Sequence, residues 1–461
     1  MTRILAAALL LAAFAGCSSQ PAAAPAEPGA ADGITKARMT AHLQALQQIA
    51  DENGDTRTTG SPGFEGSLAY VERTLRAAGL APKREPFDVI AYRELAPPTL
   101  TAAGIEIGEV VAMEYSGSGS VTGPIVPVGL DDPPHATGTS MSGCAAADFR
   151  DFPEGAVALV QRGGCFLAQK AANAAQAGAK SAIVMNDGLP GHVGAIQGTL
   201  IRPARIPVLG VDFETGVRLA QAKTVSLSAR TETEKTQADN LIVDLPGSGD
   251  GVVLLGAHLD SVPAGPGVND DGSGVATLLE VARALRGRDH ARTIRLAFWG
   301  GEELGLVGST AYVNALPKDE LHRIDDVVNL DMVGSENGGR FVFDGNGSSG
   351  GPPGPPGSGR IETALSAAFD ALGRSSRPSA LEPGRSDYAE FARRGIAIGG
   401  LFSGADGQKT AAEAKTFGGE AGSAYDDCYH RPCDRADHVD VALATDMARA
   451  AAIAALALAR G

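Results

Sequence analysis

The chain has 461 residues, which is too long for one ordinary hydrophobic core and fits two compact domains of roughly 100 to 300 residues each. Its net charge of -15, with acidic residues spread along the chain, argues against nucleic acid and anionic membrane surfaces as partners. After residue 20, no apolar run approaches the roughly 20 residues that are needed to span a bilayer. The composition therefore predicts an acidic, soluble body.

The N-terminus has the pattern of an export signal. Arg3 supplies a positive start, residues 4–14 are apolar, and Ala15-Gly16 directly precedes Cys17. This pattern resembles a bacterial lipoprotein signal peptide over residues 1–16, after which a lipidated Cys17 becomes the first residue. We therefore expect an exported protein, anchored to the bacterial cell envelope through Cys17, and membrane contact only through that anchor.

A flexible tether is predicted over residues 17–33, because they are rich in proline and alanine. The alternative is a plain secretory signal in which Cys17 has no role. Phe14, at a position where leucine is usual, keeps that alternative open. Both interpretations export the protein.

Export makes the five cysteines informative, because disulfides form on the oxidising side of a membrane. With Cys17 set aside, two local pairs are left, Cys144 with Cys165 and Cys428 with Cys433. We expect one disulfide in each pair, and free buried thiols in either place are the alternative.

The first half of the chain changes its pattern once. Residues 34–80 predict two helices separated by a turn-rich stretch at 53–63. From about residue 99 to 231, short β-branched runs follow, with one helix near 166–177. These runs lie at residues 125–128, 156–160, 181–185 and 206–211.

From residue 240, apolar strands alternate with helices. The strands are predicted at 252–256, 293–299 and 327–330, and the helices at 275–285, 309–316, 360–372, 388–393 and 439–459. Near-continuous apolar strands separated by helices indicate an α/β fold whose mostly parallel, mixed sheet is flanked by helices. We predict a catalytic domain built from residues 34–98 and 233–461, with a smaller β-rich domain inserted at 99–232.

Residues that bind metals lie in the loops that follow these strands. The strand-end loops supply His258, Asp270, Glu303 and Asp331, and a loop near the C-terminus supplies His430. In open α/β sheets such loops converge beyond the carboxyl ends of the strands. Imidazole and carboxylate suit zinc, and one carboxylate can bridge two ions. Taken singly, each residue also has an ordinary structural explanation, but the set predicts a hydrolytic metal centre.

The same loops resemble a known family. The segments run in order from about residue 240 to 434: AHLDS, GVNDDGSG, FWGGEELGLVGS, NLDMVGS, GRSDYAEF, GGLFSGAD and CYHRPCD. They are similar to the secreted bacterial di-zinc aminopeptidases of the leucyl aminopeptidase and aminopeptidase Y kind, which have the zinc exopeptidase fold. The resemblance implies hydrolysis of the N-terminal peptide bond of peptides, with a preference for large apolar N-terminal residues.

It also implies two zinc ions per chain. Asp270 would bridge them, with His258 and Asp331 on one ion and Glu303 and His430 on the other. Glu302 would be the general base and acid that transfers protons between the metal-activated water and the leaving amine. Such roles agree with the chemistry of two-metal hydrolysis.

Three further residues have expected roles. The resemblance assigns Tyr429 to stabilisation of the oxyanion and suggests that Arg385 contacts short substrates or products. Asp260, two residues after His258, is placed to accept the imidazole N–H and so to fix its tautomer. Cys428 and Cys433 would hold the loop of Tyr429 in place.

The segment at 149–187 resembles a protease-associated domain, expected to restrict access to the site or to act as a spacer. Two rival functions stay open. A carboxypeptidase of the same superfamily needs a basic cluster near the site, and Arg385 alone is not one. A binding protein on the same fold would have lost its metals. We expect peptide substrates and a monomer.

Overall fold

The computed structural model of the chain describes residues 23–131, 140–189, 192, 194–382 and 384–461. Cys17 and the predicted signal peptide lie outside these residues.

A single β-sheet runs through both parts of the molecule. Its strands follow the order β12-β11-β13-β10-β8-β9-β7-β3-β4-β5-β6-β2, and β1 pairs with β7. The strands are β1 Lys83–Ala102, β2 Val110–Ala112, β3 Gly119–Pro127, β4 Val157–Gln161, β5 Ser181–Met185, β6 Val208–Val211, β7 Thr224–Leu245, β8 Val252–His258, β9 Thr293–Trp299, β10 Ile324–Leu330, β11 Phe341–Phe343, β12 Arg377–Ser379 and β13 Ala397–Phe402.

Helices cover both faces of the sheet. They are α1 Lys36–Asp51, α2 Pro62–Ala77, α3 Leu167–Gln176, α4 Phe213–Leu219, α5 Gly272–Leu285, α6 Val307–Ala315, α7 Lys318–His322, α8 Ser358–Ala371, α9 Ala389–Arg393, α10 Ala411–Phe417 and α11 Val441–Arg460. Side-chain caps fix several of their starts: Thr35 accepts the N–H of Arg38 at α1, and Ser61 accepts that of Phe64 at α2.

The catalytic part has a parallel centre. Strands β9, β8, β10 and β13 are parallel, and all seven residues of β8 are buried, as expected of a strand covered on both faces. The inserted part has its own parallel group, β3-β4-β5-β6. The predicted mixed α/β sheet with an inserted small domain is therefore confirmed.

A long two-stranded ribbon joins the two parts. Strand β1 pairs with β7 along nearly its whole length, from Lys83 opposite Ile242 to Ala102 opposite Val225. One end of β7 pairs with β9, and its other end pairs with β3. The predicted domain boundaries at 98/99 and 232/233 fall inside these two strands. Because β7 is antiparallel to β9, the ribbon extends beyond the carboxyl end of β9.

One prediction about apolar runs was wrong. Helix α11 is long and apolar enough to cross a membrane by length and composition, with a mean hydropathy of 1.6 over 18 of its residues. The helix is rich in alanine and instead packs inside the protein, where 78% of this 18-residue stretch is buried. Helix α11 is therefore part of the hydrophobic core.

The predicted flexible tether was also wrong for residues 23–33. The Ala24 N–H donates to the carbonyl of Ala457 at 3.0 Å, and Ala30 is fully buried. Arg288 donates to the carbonyl of Gly29. Small alanine side chains allow this segment to pack closely along the end of α11, and composition alone did not reveal those partners.

Candidate metal centre and substrate pocket

The five predicted ligands meet at the carboxyl ends of the central strands. His258 is the last residue of β8, Asp331 directly follows β10, and Glu303 lies four residues after the end of β9. Asp270 precedes α5, and His430 lies between α10 and α11. The topology therefore brings together residues that are up to 172 positions apart, since His258 and His430 belong to one cluster through Asp270.

The donor atoms form two groups that share Asp270. On one side, His258 Nε2 lies 3.0 Å from Asp270 Oδ1 and 3.7 Å from Asp331 Oδ1. On the other, His430 Nε2 lies 3.1 Å from Asp270 Oδ2 and 3.3 Å from Glu303 Oε2. Each oxygen of the Asp270 carboxylate thus faces a different histidine.

This spacing fits zinc. Ligand atoms about 2.0–2.2 Å from a tetrahedral zinc ion lie roughly 3.3–3.5 Å from one another, close to the separations found here. The Oε1 atom of Glu303 is buried without a hydrogen-bond partner among the described residues. A buried carboxylate oxygen with no donor is costly, and a bound cation removes that cost.

The negative charge of the region also favours bound cations. Seven carboxylates surround the two histidines, and they belong to Asp260, Asp270, Asp271, Glu302, Glu303, Asp331 and Asp387. Burial alone would lower the pKa of His258, but Asp260, Asp270 and Asp331 outweigh it and raise that pKa well above its ordinary value. An excess of buried negative charge is unfavourable unless cations balance it.

Asp271 fixes the relative position of three loops. Its carboxylate accepts the N–H groups of Gly274, His258 and Met332, at 2.9, 3.1 and 3.1 Å. It therefore caps α5 and ties the ends of β8 and β10 together. Asp271 was not among the predicted site residues, although an aspartate next to the predicted bridging ligand and before a helix was a usable signal.

Arg57 clamps the same region from the N-terminal part of the chain. Its side chain is fully buried, and its guanidinium donates to the carbonyls of Leu259, Pro266 and Gly267. The Pro266 contact is 2.8 Å long. These carbonyls belong to the loops that contain His258 and Asp270, so Arg57 holds the two ligand loops at a set separation.

Two other residues, Ser386 and Asp434, orient the ligand loops through hydrogen bonds. Ser386 Oγ donates to Asp331 Oδ2 at 2.7 Å. Asp434 accepts the backbone N–H groups of Asn269 and Asp270 at 2.6 and 3.0 Å. Neither residue was singled out from the sequence, because both act across a large sequence separation.

The predicted partner of His258 has a different geometry from the one expected. The backbone carbonyl of Asp260 lies 3.1 Å from His258 Nδ1, whereas the Asp260 carboxylate is 3.7 Å away. That carboxylate instead accepts the backbone N–H of Glu302 at 3.2 Å. Asp260 thus links the loop of His258 to the loop of Glu302.

Glu302 lies beside the metal ligands. Its carboxylate forms a third possible group with His258 and Glu303. Burial raises the pKa of Glu302 well above its ordinary value, and neighbouring carboxylates add to that effect against the opposing charge of His258. A carboxyl group with a raised pKa next to a metal centre can both accept and return a proton.

The Tyr429 ring stacks on His430, with ring centroids 3.9 Å apart. The adjacent bridge Cys428–Cys433 is present, as is Cys144–Cys165 in the inserted part, so both predicted disulfides are confirmed. His430 has a φ of 58°, in the left-handed region that non-glycine residues rarely occupy. The stacked ring and the bridge hold this unusual backbone in place.

A cavity of about 270 Å³ opens onto the cluster. Its lining contains the metal ligands and Glu302, and four further lining side chains, Phe343, Tyr388, Phe402 and Tyr425, form an aromatic wall. Arg385 and Tyr429 also line it. Apart from the two histidines, Arg385 is the basic residue among the described lining residues. A basic cluster suited to a C-terminal carboxylate is therefore absent from the described wall.

The inserted domain contributes a carboxylate near the site. Burial raises the pKa of Glu114 to about 8, and the negative charge of Glu303 adds to that shift. The Glu114 backbone pairs with Gly198 and Leu200 in the loop that reaches Gly305 through Ile201. Nothing in the sequence patterns indicated this residue, because it follows β2 in the inserted domain.

Comparison with known proteins identifies the family. Residues 240–455 match the model of peptidase family M28. An aminopeptidase of Pseudomonas aeruginosa is 41% identical over 416 residues, covering 87% of this chain and 76% of that protein. The chain belongs to peptidase family M28. Residues 121–219 of this peptidase match the PA domain, so the predicted family and the protease-associated insertion are both confirmed.

Further relatives agree. A probable lipoprotein aminopeptidase of Mycobacterium tuberculosis is 40% identical, covering 91% of this chain and 84% of that protein. The solved zinc aminopeptidase from Bacillus subtilis has a TM-score of 0.68 at 26% identity and covers 91% of this chain and 94% of its own. This M28 peptidase is therefore a zinc metallo-aminopeptidase, and its disulfides indicate export.

Proposed function

We propose that this peptidase binds two zinc ions, bridged by Asp270, and removes large apolar residues from the N-termini of peptides. His258 and Asp331 would hold one ion, and Glu303 and His430 the other. The observation on which this rests is the division of the donor atoms into two groups that share the two oxygens of Asp270. When bound, two such ions lower the pKa of a coordinated water and polarise the scissile carbonyl.

The residues around the pair would divide the remaining work. Glu302 would take a proton from the attacking water and return it to the leaving amine. Tyr429, which stacks on His430 and lines the cavity, would donate its O–H to the oxygen that becomes negative. Disruption of either group should reduce turnover without emptying the metal site.

Recognition of the N-terminus would follow from the two kinds of residue that line the cavity. The carboxylates of Glu302 and Asp331 suit a free α-ammonium group, and the aromatic wall suits an apolar side chain. The rings of Phe343 and Tyr388 lie 5.7 Å apart and form one side of that wall. Arg385, which also lines the cavity, would contact the rest of a short peptide.

The deciding experiment is hydrolysis of a panel of aminoacyl anilides, free and N-acetylated, with and without a chelator. We expect Leu and Phe anilides to be cleaved faster than Ala or Glu anilides, and the chelator to stop cleavage. Equal cleavage of the N-acetylated substrates would exclude an aminopeptidase. Metal analysis of the purified protein should give two zinc ions per chain, and a value near one would contradict the bridged pair.

We also propose that the peptidase is a monomer attached to the cell envelope by a lipid on Cys17. The M. tuberculosis relative named as a probable lipoprotein aminopeptidase supports the lipid attachment. Mass spectrometry of the mature N-terminus tests it, because a diacylated or triacylated Cys17 differs in mass from a free one.

A further inference from the structure

The point at which the N-terminal segment joins the body lies opposite the metal centre. The amino edge of the sheet is defined here by residues 249–251, 290–292 and 459, where the Thr293 N–H donates to Gly251 and the Ala291 N–H donates to Ala459. The N-terminal segment joins this edge, because Ala24 donates to Ala457 and Glu27 pairs with Arg460. The metal ligands instead follow the other ends of the same strands.

Helix α11 runs from the carboxyl edge of the sheet, where the metal ligands lie, to the amino edge. Its N-cap residue, Asp440, donates its N–H to Gly334 in the loop that follows Asp331 and β10, and its last turn accepts the N–H of Ala291 at the amino edge. Twenty helical residues rise about 30 Å. The N-terminal segment binds at Ala457, three residues before the end of α11, so its attachment lies roughly 26 Å along the helix axis from Asp440 and the loop that follows Asp331.

The chain between the anchor and the body is short. Residues 23–33 are packed on the body, so six residue steps separate Cys17 from Ala23. Six residues span at most about 22 Å even when fully extended. That reach is shorter than this separation along α11, so a lipid on Cys17 that is inserted in the bilayer keeps the amino edge, and not the cavity, next to the membrane.

We infer that the amino edge is a membrane-facing surface and that the lipid bilayer is its partner, with the metal centre opening away from the membrane. The inference rests on the proposed lipidation of Cys17. The β1–β7 ribbon also extends past the carboxyl end of β9, so the inserted domain lies on the distal side as well. The peptidase would then act on peptides dissolved in the aqueous compartment, and not on N-termini held at the bilayer surface.

The single tryptophan of the chain, Trp299, permits a direct test, because it lies at the carboxyl end of β9. The lipidated full-length protein is bound to phosphatidylcholine and phosphatidylglycerol vesicles that contain a dansyl-headgroup lipid, and energy transfer from tryptophan is measured. Two variants each add one tryptophan at an exposed position. Asp289→Trp places it at the amino edge, and Glu420→Trp places it beside Asn337, beyond β10.

We expect Asp289→Trp to raise the transfer at least twofold over the unmodified protein and Glu420→Trp to leave it nearly unchanged. Equal transfer from the two variants, or higher transfer from Glu420→Trp, would overturn the inference. Cys17→Ala should stay off the vesicles. If the unmodified protein also stays off them, the lipid premise fails, whereas anilide hydrolysis in solution would still report on the proposed function separately.

Discussion

The catalytic and inserted parts of the molecule both contain parallel strands followed by helices, yet acidic residues at their strand ends behave differently. In the inserted part, Asp212 caps α4 by accepting the Thr215 N–H at 2.7 Å. Asp187, after β5, pairs with His192 at 2.8 Å. In the catalytic part, carboxylates from several loops face one another around two histidines. An acidic residue at a strand end therefore does not by itself indicate a metal site. A metal site is indicated where carboxylates from several loops converge.

The largest expected effect tests this difference at Glu302. Replacing it with glutamine removes the proton acceptor while leaving the ligand groups in place, so kcat should fall roughly 10²- to 10⁴-fold. Zinc content, measured by atomic absorption, should stay unchanged. The matched control, Asp187→Asn in the inserted part, should retain full activity. Loss of zinc together with activity would make Glu302 a ligand and not the proton-transfer group.

A second test compares the arginines of the two parts. Arg57→Met removes the guanidinium donor from the carbonyls of Leu259 and Pro266, while Gly267 keeps the N–H of Gly272. This change should lower the free energy of unfolding by about 3 kcal/mol and weaken zinc binding. Arg57→Lys, which keeps the charge but not the planar fork, should give an intermediate result. Urea unfolding and competition with a zinc chelator measure the two effects.

Arg162, at the end of β4, provides the comparison for Arg57. Its side chain is 38% exposed and lies 3.9 Å from Asp187. Arg162→Met should change the free energy of unfolding by no more than about 0.5 kcal/mol. If Arg57→Met binds zinc as tightly as the unmodified protein, the clamp on the ligand loops has no role in metal binding.

A third test concerns buried charge away from the metal centre. Burial would raise the pKa of Glu280, but His42, Arg283 and Arg38 outweigh it and lower that pKa to about 2. A lowered carboxyl pKa stabilises the fold above the unfolded value near 4.5, and the stabilisation is lost as pH falls toward 2. The shift corresponds to at most about 3 kcal/mol.

Glu280→Gln should therefore reduce the free energy of unfolding at pH 7 and lose most of that deficit by pH 3. Urea unfolding of the zinc-free protein at both pH values is the measurement, because removal of zinc separates this effect from metal release in acid. A deficit that is the same at both pH values would contradict the assigned charge state.

The smallest expected effect crosses the boundary between the two parts. Glu114 belongs to the inserted part but lies close enough to Glu303 for its pKa to respond to that charge. Glu114→Gln should change KM for aminoacyl anilides by up to roughly tenfold, equivalent to about 1.4 kcal/mol, with kcat nearly constant. Glu109→Gln, also in the inserted part, is the control. No change in KM would limit the inserted domain to a spacer role toward small substrates.

The sequence was sufficient to predict the strands and loops whose patterns are local. Strand β9 has the predicted bounds, β8 and β10 differ by a few residues, and the loops after them meet as the parallel topology requires. The five predicted ligand residues also lie together, because His, Asp and Glu in the loops after the strands, with His430 in a loop near the C-terminus, are a local pattern. Family resemblance, and not spacing, supplied the N-terminal specificity.

The supporting residues could not be predicted in the same way. Arg57 lies more than 200 positions from the carbonyls that it contacts, in a stretch that reads as an exposed turn. The alanine-rich segment at 23–33 reads as a tether, because its partner is the distant end of α11. In both cases the conformation is stabilised by burial against a segment that is distant in the sequence. Local composition gives no information about that segment.

The β1–β7 ribbon bears on how such a chain is assembled over evolution. Phe87 lies opposite Ala238 and Asp88 opposite Gln237, so the two points where the chain leaves and re-enters the peptidase are neighbours on adjacent strands. A short turn there would close a hairpin and keep the pairing of β7 with β9 intact. An ancestral gene could thus gain, lose or exchange the intervening module by recombination without rewiring the sheet that holds the metal ligands.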